Sequence, residues 1–124
     1  MKFLIIDDSM VIRNIHKNVL KENGFPETDL YEADNGLTAI EIAEKEDIGL
    51  FLVDWNMPGV NGLQFVKKIR SMAKYEKTPI IMVTSEAAKY NVMEAIDAGA
   101  TNYIVKPIRG DVLWSKLSKY AVKE

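Results

Sequence analysis

The chain has 124 residues, a formal charge of −2 and no cysteine. At this length one domain is expected, disulfides and thiolate metal sites are excluded, and the charge does not favour nucleic acid or membrane surfaces. No apolar stretch approaches the roughly 20 residues that span a bilayer, and the N-terminus leads directly into a strand pattern without a signal peptide. We therefore expect a single domain over residues 1–124, located in the cytoplasm.

Strand-like and helix-like segments alternate in the first half of the chain. Apolar runs at Phe3–Ile6 and 50–53 predict buried strands, and Leu30–Ala33 is a further strand that the alternation requires. Residues 11–22 predict an amphipathic helix. Its apolar face is formed by Val11, Ile12, Ile15, Val19 and Leu20. A second helix follows, and its apolar face is formed by Leu37, Ile40 and Ala43.

The second half of the chain continues the alternation. A loop of turn residues at 57–62 precedes a helix, and residues 80–83 and 103–105 predict two more strands. Three helices are predicted here, with apolar faces formed by Phe65, Val66, Ile69 and Met72, by Val92, Ala95 and Ile96, and by Leu113, Leu117 and Tyr120. Five strand–helix units predict an α/β fold, a three-layer sandwich around a parallel sheet.

Charged residues directly follow three of the predicted strands. Asp7 and Asp8 follow the first strand, Asp54 follows the third and Lys106 follows the fifth. In open α/β sheets, ligands bind just beyond the carboxyl ends of the strands. Three carboxylates and one ammonium at that edge predict a site for a divalent cation and a small anion. Aspartate is also a common turn and cap residue, so Asp54 alone could cap a turn, and Asp8 or Ser9 could cap the first helix.

Together with Thr84 after the fourth strand and Pro107 after Lys106, these residues resemble the marking residues of a receiver domain of bacterial response regulators. The resemblance covers residues 1–122, and the motifs are loose individually but specific in this order. It implies a flavodoxin-like (βα)5 fold with strand order 2-1-3-4-5 and no output domain. Tyr103 and the sequence Trp55-Asn56-Met57-Pro58 are similar to those of stand-alone chemotaxis receivers.

The resemblance also implies roles for the residues at the sheet edge. Asp54 would be the phosphoacceptor, taking a phosphoryl group from a phosphohistidine on a histidine kinase. Mg²⁺ would be bound directly by Asp8, Asp54 and the backbone carbonyl of Asn56, with Asp7 acting largely through water. Lys106 would contact a phosphoryl oxygen from a cis Lys106-Pro107 peptide. Such a protein is not an enzyme, since it promotes only its own phosphorylation and dephosphorylation.

The resemblance also implies residues that change conformation on phosphorylation and residues that set the lifetime of the phosphoryl group. The Thr84 hydroxyl would contact the phosphoryl group, and Tyr103 would then rotate inward. Asn56 and Glu86 would tune how fast water removes the phosphoryl group, and this pair predicts a short-lived phosphoryl state. Asn61 replaces an aspartate often found in the family, which a helix cap tolerates, and Ser85 replaces a smaller residue.

The implied output is binding of a flagellar motor switch protein, with a phosphatase as a further partner. The binding face would be formed by Lys89, Tyr90, Tyr103, Arg109, Lys116 and Lys119. Trp114 either anchors a partner on that face or packs back onto the core. We expect a monomer that binds neither nucleic acid nor membrane.

Other readings of the sequence remain open. A stand-alone receiver in a non-motility phosphorelay is the main alternative. A haloacid-dehalogenase-like phosphatase would need an acid at the position of Asn56, and a flavodoxin-like cofactor binder would need a glycine-rich phosphate loop. His16 is predicted to face solvent, as are the basic side chains of Lys67, Lys68 and Arg70.

Overall fold

The structure is a computed structural model that describes residues 1–57, 59–85 and 92–123. The strands are β1 (Phe3–Ile6), β2 (Leu30–Ala33), β3 (Leu50–Asp54), β4 (Ile80–Thr84) and β5 (Asn102–Val105). The helices are α1 (Met10–Glu22), α2 (Gly36–Lys45), α3 (Gly62–Arg70), α4 (Val92–Ala98) and α5 (Gly110–Leu117). Short 3-10 turns at Glu27–Asp29 and Ala73–Tyr75 precede β2 and β4. No helix within the described ranges has the length and apolarity needed to cross a membrane.

The five strands form one parallel sheet in the order β2-β1-β3-β4-β5. This confirms the predicted flavodoxin-like α/β fold and its strand order. Every residue of β1, β3 and β4 is buried, whereas the edge strands β2 and β5 are partly exposed. Interior strands of a parallel sheet are covered by helices on both faces, which explains their continuous apolar sequences. Because all strands are parallel, their carboxyl ends lie along one edge.

Two apolar clusters flank the sheet, because alternate strand side chains point to opposite faces. One cluster lies beneath α2, α3 and α4 and includes Leu4, Ile6, Phe51, Val53, Ile80 and Met82. The other lies beneath α1 and α5 and includes Phe3, Ile5, Leu50, Leu52, Ile81 and Val83. The sheet is therefore the rigid middle layer of a three-layer sandwich, and it holds whatever follows the strand ends.

Side-chain caps begin α1 and α3, whose first turns lie beside that edge. The Ser9 hydroxyl accepts a hydrogen bond from the Ile12 N–H, so Ser9 caps α1. Asn61 caps α3 in a reciprocal arrangement with Gln64, at 2.9 and 3.0 Å. Such caps satisfy backbone donors that have no partner within the helix. Asn61 thus preserves the cap expected of the aspartate that it replaces.

Two predicted helix faces, those of α1 and α2, need correction. Val11 and Leu37 are 66% and 63% exposed, because each lies in the first turn of its helix, where little of the sheet lies beneath it. His16 was predicted to face solvent, but it is only 1% exposed. It lies on the buried face of α1 together with Val19 and Leu20. The face of α1 that packs on the sheet therefore includes His16.

Arg70 and Trp114 also differ from prediction. Lys67 and Lys68 are exposed as expected, but Arg70 turns back and donates hydrogen bonds to three backbone carbonyls. The indole of Trp114 is half-buried and packs on the cluster beneath α1 and α5, with its ring 6.2 Å from that of Phe25. Of the two alternatives for Trp114, packing onto the core is therefore the one observed.

Candidate functional site

Four side chains from three strand ends meet at the carboxyl edge of the sheet. The Lys106 Nζ lies 3.3 Å from Asp54 Oδ1 and 3.7 Å from Asp7 Oδ2. Carboxylate oxygens of Asp7, Asp8 and Asp54 lie within 4.8 Å of one another. The structure thus brings together the three acids and the ammonium that the sequence placed at this edge.

Backbone hydrogen bonds extend the sheet past the strand ends and hold these residues in place. The Asp7 N–H donates to the Ala33 carbonyl at 3.1 Å, and the Lys106 N–H donates to the Thr84 carbonyl at 2.7 Å. Asp54 is itself the last residue of β3. Functional side chains on sheet backbone are positioned more closely than side chains on loops. The local sequence, an apolar strand ending in charge, therefore gives a rigid cluster.

The cluster is mostly buried but opens on one side. Asp7 is 1% exposed and Asp54 is 3% exposed, whereas Asp8 is exposed. An open cleft of about 440 Å³ lies beside them and is lined by Asp8, Trp55, Asn56, Met57 and Asn61. A small ligand can approach Asp8 from this cleft.

Burial disfavours the ionised form of Asp7 and Asp54, the two buried acids of the site. Burial, and after it the negative charge of Asp7, raises the pKa of the Asp54 carboxyl to about 6, although Lys106 opposes the rise. Burial also raises the pKa of Asp7, against the hydrogen bond from the Ser9 N–H and the charge of Lys106. Desolvation disfavours a carboxylate, and a neighbouring carboxylate disfavours it further. One ammonium does not offset this cost, so the site favours an additional cation.

The donor atoms at this edge suit such a cation. Asp7 Oδ2 is buried and has no hydrogen-bond partner among the described residues. A buried oxygen without a partner is unfavourable unless a cation or an ordered water contacts it. Mg²⁺ takes oxygen ligands, keeps several waters and is often held by one or two carboxylates. Asp7, Asp8 and Asp54 therefore fit Mg²⁺, while the role of the Asn56 carbonyl stays a prediction.

Thr84 ends β4 at the carboxyl edge, and Tyr103 lies in the adjacent strand β5. Thr84 is 1% exposed, and its hydroxyl donates to the Ser85 carbonyl at 3.3 Å. Tyr103 in β5 is half-buried, and Lys116 in α5 contacts it twice. The Lys116 ammonium donates to the Tyr103 carbonyl at 2.6 Å and lies 4.8 Å from the ring centroid. The sequence predicts Lys116 on the binding face, but its contact with the Tyr103 ring has no sequence signal.

The remaining predicted positions are placed as follows. Asn56 is exposed at the cleft, and its N–H donates to Asp54 Oδ1 at 3.4 Å. The Lys106-Pro107 peptide is cis, as the resemblance implies. Glu86 lies outside the described residues, as do Lys89 and Tyr90 of the predicted binding face.

Two residues near the site were missed by sequence reasoning. The Arg13 Nη1 donates to the Asp7 carbonyl at 2.7 Å. Neither ring nitrogen of His16 has a hydrogen-bond partner within the described part of the chain, and burial, followed by the charge of Lys106, lowers the pKa of His16 to about 4. His16 could have been found, because it lies four residues from both Ile12 and Leu20 and so shares their face. No sequence signal marks the Arg13 contact.

Comparison with known proteins identifies the family. The model of the response regulator receiver domain matches residues 3–118. A chemotaxis protein CheY homolog from Campylobacter jejuni is 48% identical over 118 residues, which cover 94% of this chain and 89% of that protein. Chemotaxis protein CheY1 from Helicobacter pylori is 45% identical, with 94% of each chain covered. The solved structure of CheY4 from Vibrio cholerae has a TM-score of 0.88, with 32% identity and coverage of 97% and 98%.

The parallel sheet, the acids at its carboxyl edge and the family match together define the class of protein. The chain belongs to the response regulator receiver domains, the phosphoacceptor modules of two-component signalling. Within that family it is a CheY-like receiver domain, similar to chemotaxis proteins over most of its length.

Proposed function

We propose that this chain accepts a phosphoryl group on Asp54 from a histidine kinase, in a reaction that depends on Mg²⁺. The observation that carries the proposal is the cluster itself, in which Asp54 lies 3.3 Å from Lys106 and beside two further acids. An Asp54 oxygen attacks phosphorus, a P–O bond forms, and the P–N bond of the phosphohistidine breaks. The electron pair stays on the imidazole nitrogen, which takes up a proton.

The other residues of the site stabilise charge and position the reactants. Mg²⁺, held by Asp8 and Asp54 with Asp7 acting through water, would neutralise charge on the transferring group. Lys106 would contact a phosphoryl oxygen, and the Thr84 hydroxyl would donate to another. Asn56 at the cleft and Glu86 would control how quickly water removes the phosphoryl group. The protein would thereby limit the lifetime of its own phosphorylated state.

The proposed output is a change of the face formed by α4, β5 and α5. Contact between Thr84 and the phosphoryl group would move the adjoining loop and let Tyr103 rotate, altering the surface beside Lys116. The similarity to CheY chemotaxis proteins supports a flagellar motor switch protein as the target of this face. We also propose that residues 1–124 act as one receiver unit in the cytoplasm, as a monomer served by a kinase and a phosphatase.

Incubation with acetyl phosphate and Mg²⁺ tests the proposed chemistry. Intact-mass measurement should show one added phosphoryl group on the wild-type protein, and none on Asp54→Asn or after removal of Mg²⁺ with a chelator. Asp111→Asn, on the exposed start of α5, is the matched control and should be labelled like the wild type. Labelling of Asp54→Asn would overturn the assignment, and turnover of phosphate esters would indicate a phosphatase instead.

A separate experiment tests the proposed output. Protein activated with beryllofluoride and Mg²⁺ should retain a motor switch protein from a motile cell extract more strongly than unactivated protein does. Retention of a different, non-motility partner would assign the chain to another phosphorelay. Equal retention in both states would contradict a phosphorylation-dependent output.

A further inference from the structure

Nearly every polar atom of Asp7 already has a fixed partner. Its N–H donates to the Ala33 carbonyl at 3.1 Å, and its Oδ1 accepts from the Ser9 N–H at 2.9 Å. Its carbonyl accepts from Arg13 Nη1 at 2.7 Å. Only Oδ2 lacks a hydrogen-bond partner within the described part of the chain, and this oxygen points toward Lys106 at 3.7 Å. The orientation of the Asp7 carboxylate is thus set by its own backbone and by Ser9.

The Arg13 guanidinium that donates to the Asp7 carbonyl is itself held in place by Glu32. Its Nε donates to Glu32 Oε1 at 3.0 Å, and the side chain of Arg13 is only 15% exposed. Lys17 occupies the other oxygen of Glu32 at 2.9 Å. A planar guanidinium with two directed bonds has little freedom, so the position of Nη1 follows from Glu32 in β2. Arg13 therefore links α1, β2 and the end of β1.

The hydrogen bond from Arg13 acts on both N-terminal acids of the site. The Asp7 carbonyl belongs to the planar peptide unit that joins Asp7 to Asp8. An ionised donor at 2.7 Å fixes the rotation of that plane, and the plane determines where the Asp8 side chain begins. Asp8 is exposed, so the position of its side chain depends on that plane more than the position of a packed side chain would.

We propose that Arg13 is a positioning residue for the metal site, acting through the Asp7-Asp8 peptide and held in place by Glu32. The inference rests on the proposed binding of Mg²⁺ by Asp7, Asp8 and Asp54. Residues that orient metal ligands without touching the metal change affinity by roughly 10- to 100-fold when replaced. Because Arg13 holds a backbone carbonyl rather than a carboxylate, Arg13→Gln should weaken Mg²⁺ binding about tenfold, at the low end of that range.

The test is a titration of MgCl2 into the full chain, followed by the amide NMR shifts of Asp8 and Trp55. Lys17→Gln is the matched control, because it removes an ion pair of the same Glu32 without touching Asp7. The dissociation constant of Lys17→Gln should stay within about twofold of the wild type. At saturating Mg²⁺ the rate of labelling by acetyl phosphate should recover in Arg13→Gln, since Arg13 does not contact the reacting atoms.

The outcomes separate this inference from the function on which it rests. If wild-type protein shows no Mg²⁺-dependent shifts, the proposed metal site fails and the inference fails with it. If wild type binds but Arg13→Gln matches Lys17→Gln, only the role of Arg13 is overturned. If Arg13→Gln does not fold, Glu32→Gln can be used instead, because it weakens the ion pair that holds the guanidinium while keeping Arg13. Weaker Mg²⁺ binding by Glu32→Gln than by Lys17→Gln supports the proposal, and equal binding by these two variants overturns it.

Discussion

The carboxyl group of Asp54 is harder to ionise in the folded protein than in water. Its folded-state pKa of about 6 lies above the ordinary value of 3.8, because the group is buried and lies beside Asp7. The folded state therefore binds a proton more tightly than the unfolded state does. At neutral pH the ionised Asp54 lowers stability, and that loss disappears as the pH falls through 6 toward 4. The ionised Asp54 thus costs stability at neutral pH, although the Lys106 ammonium 3.3 Å away offsets part of that cost.

Asp54→Asn should consequently stabilise the metal-free protein at pH 7. A shift of this size corresponds to roughly 3 kcal/mol at most, and most of the gain should be lost by pH 4. Urea unfolding in the presence of a chelator measures it, with the exposed Asp111→Asn expected within about 0.5 kcal/mol of the wild type. Equal stability of Asp54→Asn and wild type at pH 7 would contradict the assigned environment of Asp54.

His16 has the opposite dependence on pH. Its pKa falls from 6.5 to about 4 on folding, because burial disfavours the imidazolium. The neutral ring is therefore fully compatible with the fold above pH 6.5, and stability declines as the pH falls from 6.5 toward 4. The loss amounts to roughly 3 kcal/mol at pH 4.

His16→Leu should remove this loss. Urea unfolding of wild type and variant at pH 7 and pH 4 isolates the effect, because the contribution of Asp54 is common to both proteins and cancels. Asn18→His on the exposed side of α1 is the control and should leave the pH dependence as in the wild type. A variant whose stability falls with pH as steeply as that of the wild type would show that His16 is not buried.

Among the secondary-structure elements, Arg70 connects the end of α3 to two turns through hydrogen bonds to backbone carbonyls. It lies at the end of α3 and donates to the carbonyls of Tyr75, Thr78 and Gly99 at 2.6 to 3.0 Å. These carbonyls belong to the turn before β4 and the turn after α4. One guanidinium therefore joins three segments at the edge of the sheet opposite the acids.

Arg70→Met keeps the apolar stem but removes every donor, so we expect a destabilisation of about 3 kcal/mol. Lys68→Met on the exposed side of the same helix should change the free energy of unfolding by no more than about 0.5 kcal/mol. Urea unfolding at pH 7 compares the two variants. Similar values for both would mean that the hydrogen bonds of Arg70 are replaced by water without cost.

The elements themselves follow closely from the sequence. Leu30–Ala33 was predicted only from the alternation of strands and helices, and the structure has β2 at those residues. Hydrophobic periodicity identifies such elements because one face of each must be buried. The turns at Glu27–Asp29 and Ala73–Tyr75 were missed, since three residues are too few to show a period. The bonds of Arg70 were missed because backbone carbonyls have no sequence signature.

The site was also predictable in part, for a reason that belongs to the whole molecule. Parallel strands place all their carboxyl ends on one edge, so Asp7, Asp54 and Lys106 had to lie along the same edge once the strands were assigned. Contacts made across elements, such as those of Arg13 and Lys116, depend on how long side chains pack and were not predictable. The sequence thus indicates the reacting groups better than it indicates the residues that hold them.

Signal transfer across the molecule should depend on Thr84. In Thr84→Ala, Asp54 should still bind beryllofluoride with Mg²⁺, but the NMR signals of the Tyr103 ring should no longer shift, because the hydroxyl proposed to contact the phosphoryl group is gone. Thr84→Ser retains the hydroxyl and should retain most of the shift. A full Tyr103 response in Thr84→Ala would place the coupling elsewhere.

Reductive trapping tests at the level of the residue whether Asp54 carries the phosphoryl group. Borohydride converts a phosphorylated aspartate to homoserine, which peptide mass spectrometry locates in the chain. After treatment with acetyl phosphate and Mg²⁺, we predict homoserine at position 54 and unmodified Asp7 and Asp8. Homoserine at another aspartate, with Asp54 unchanged, would contradict the account.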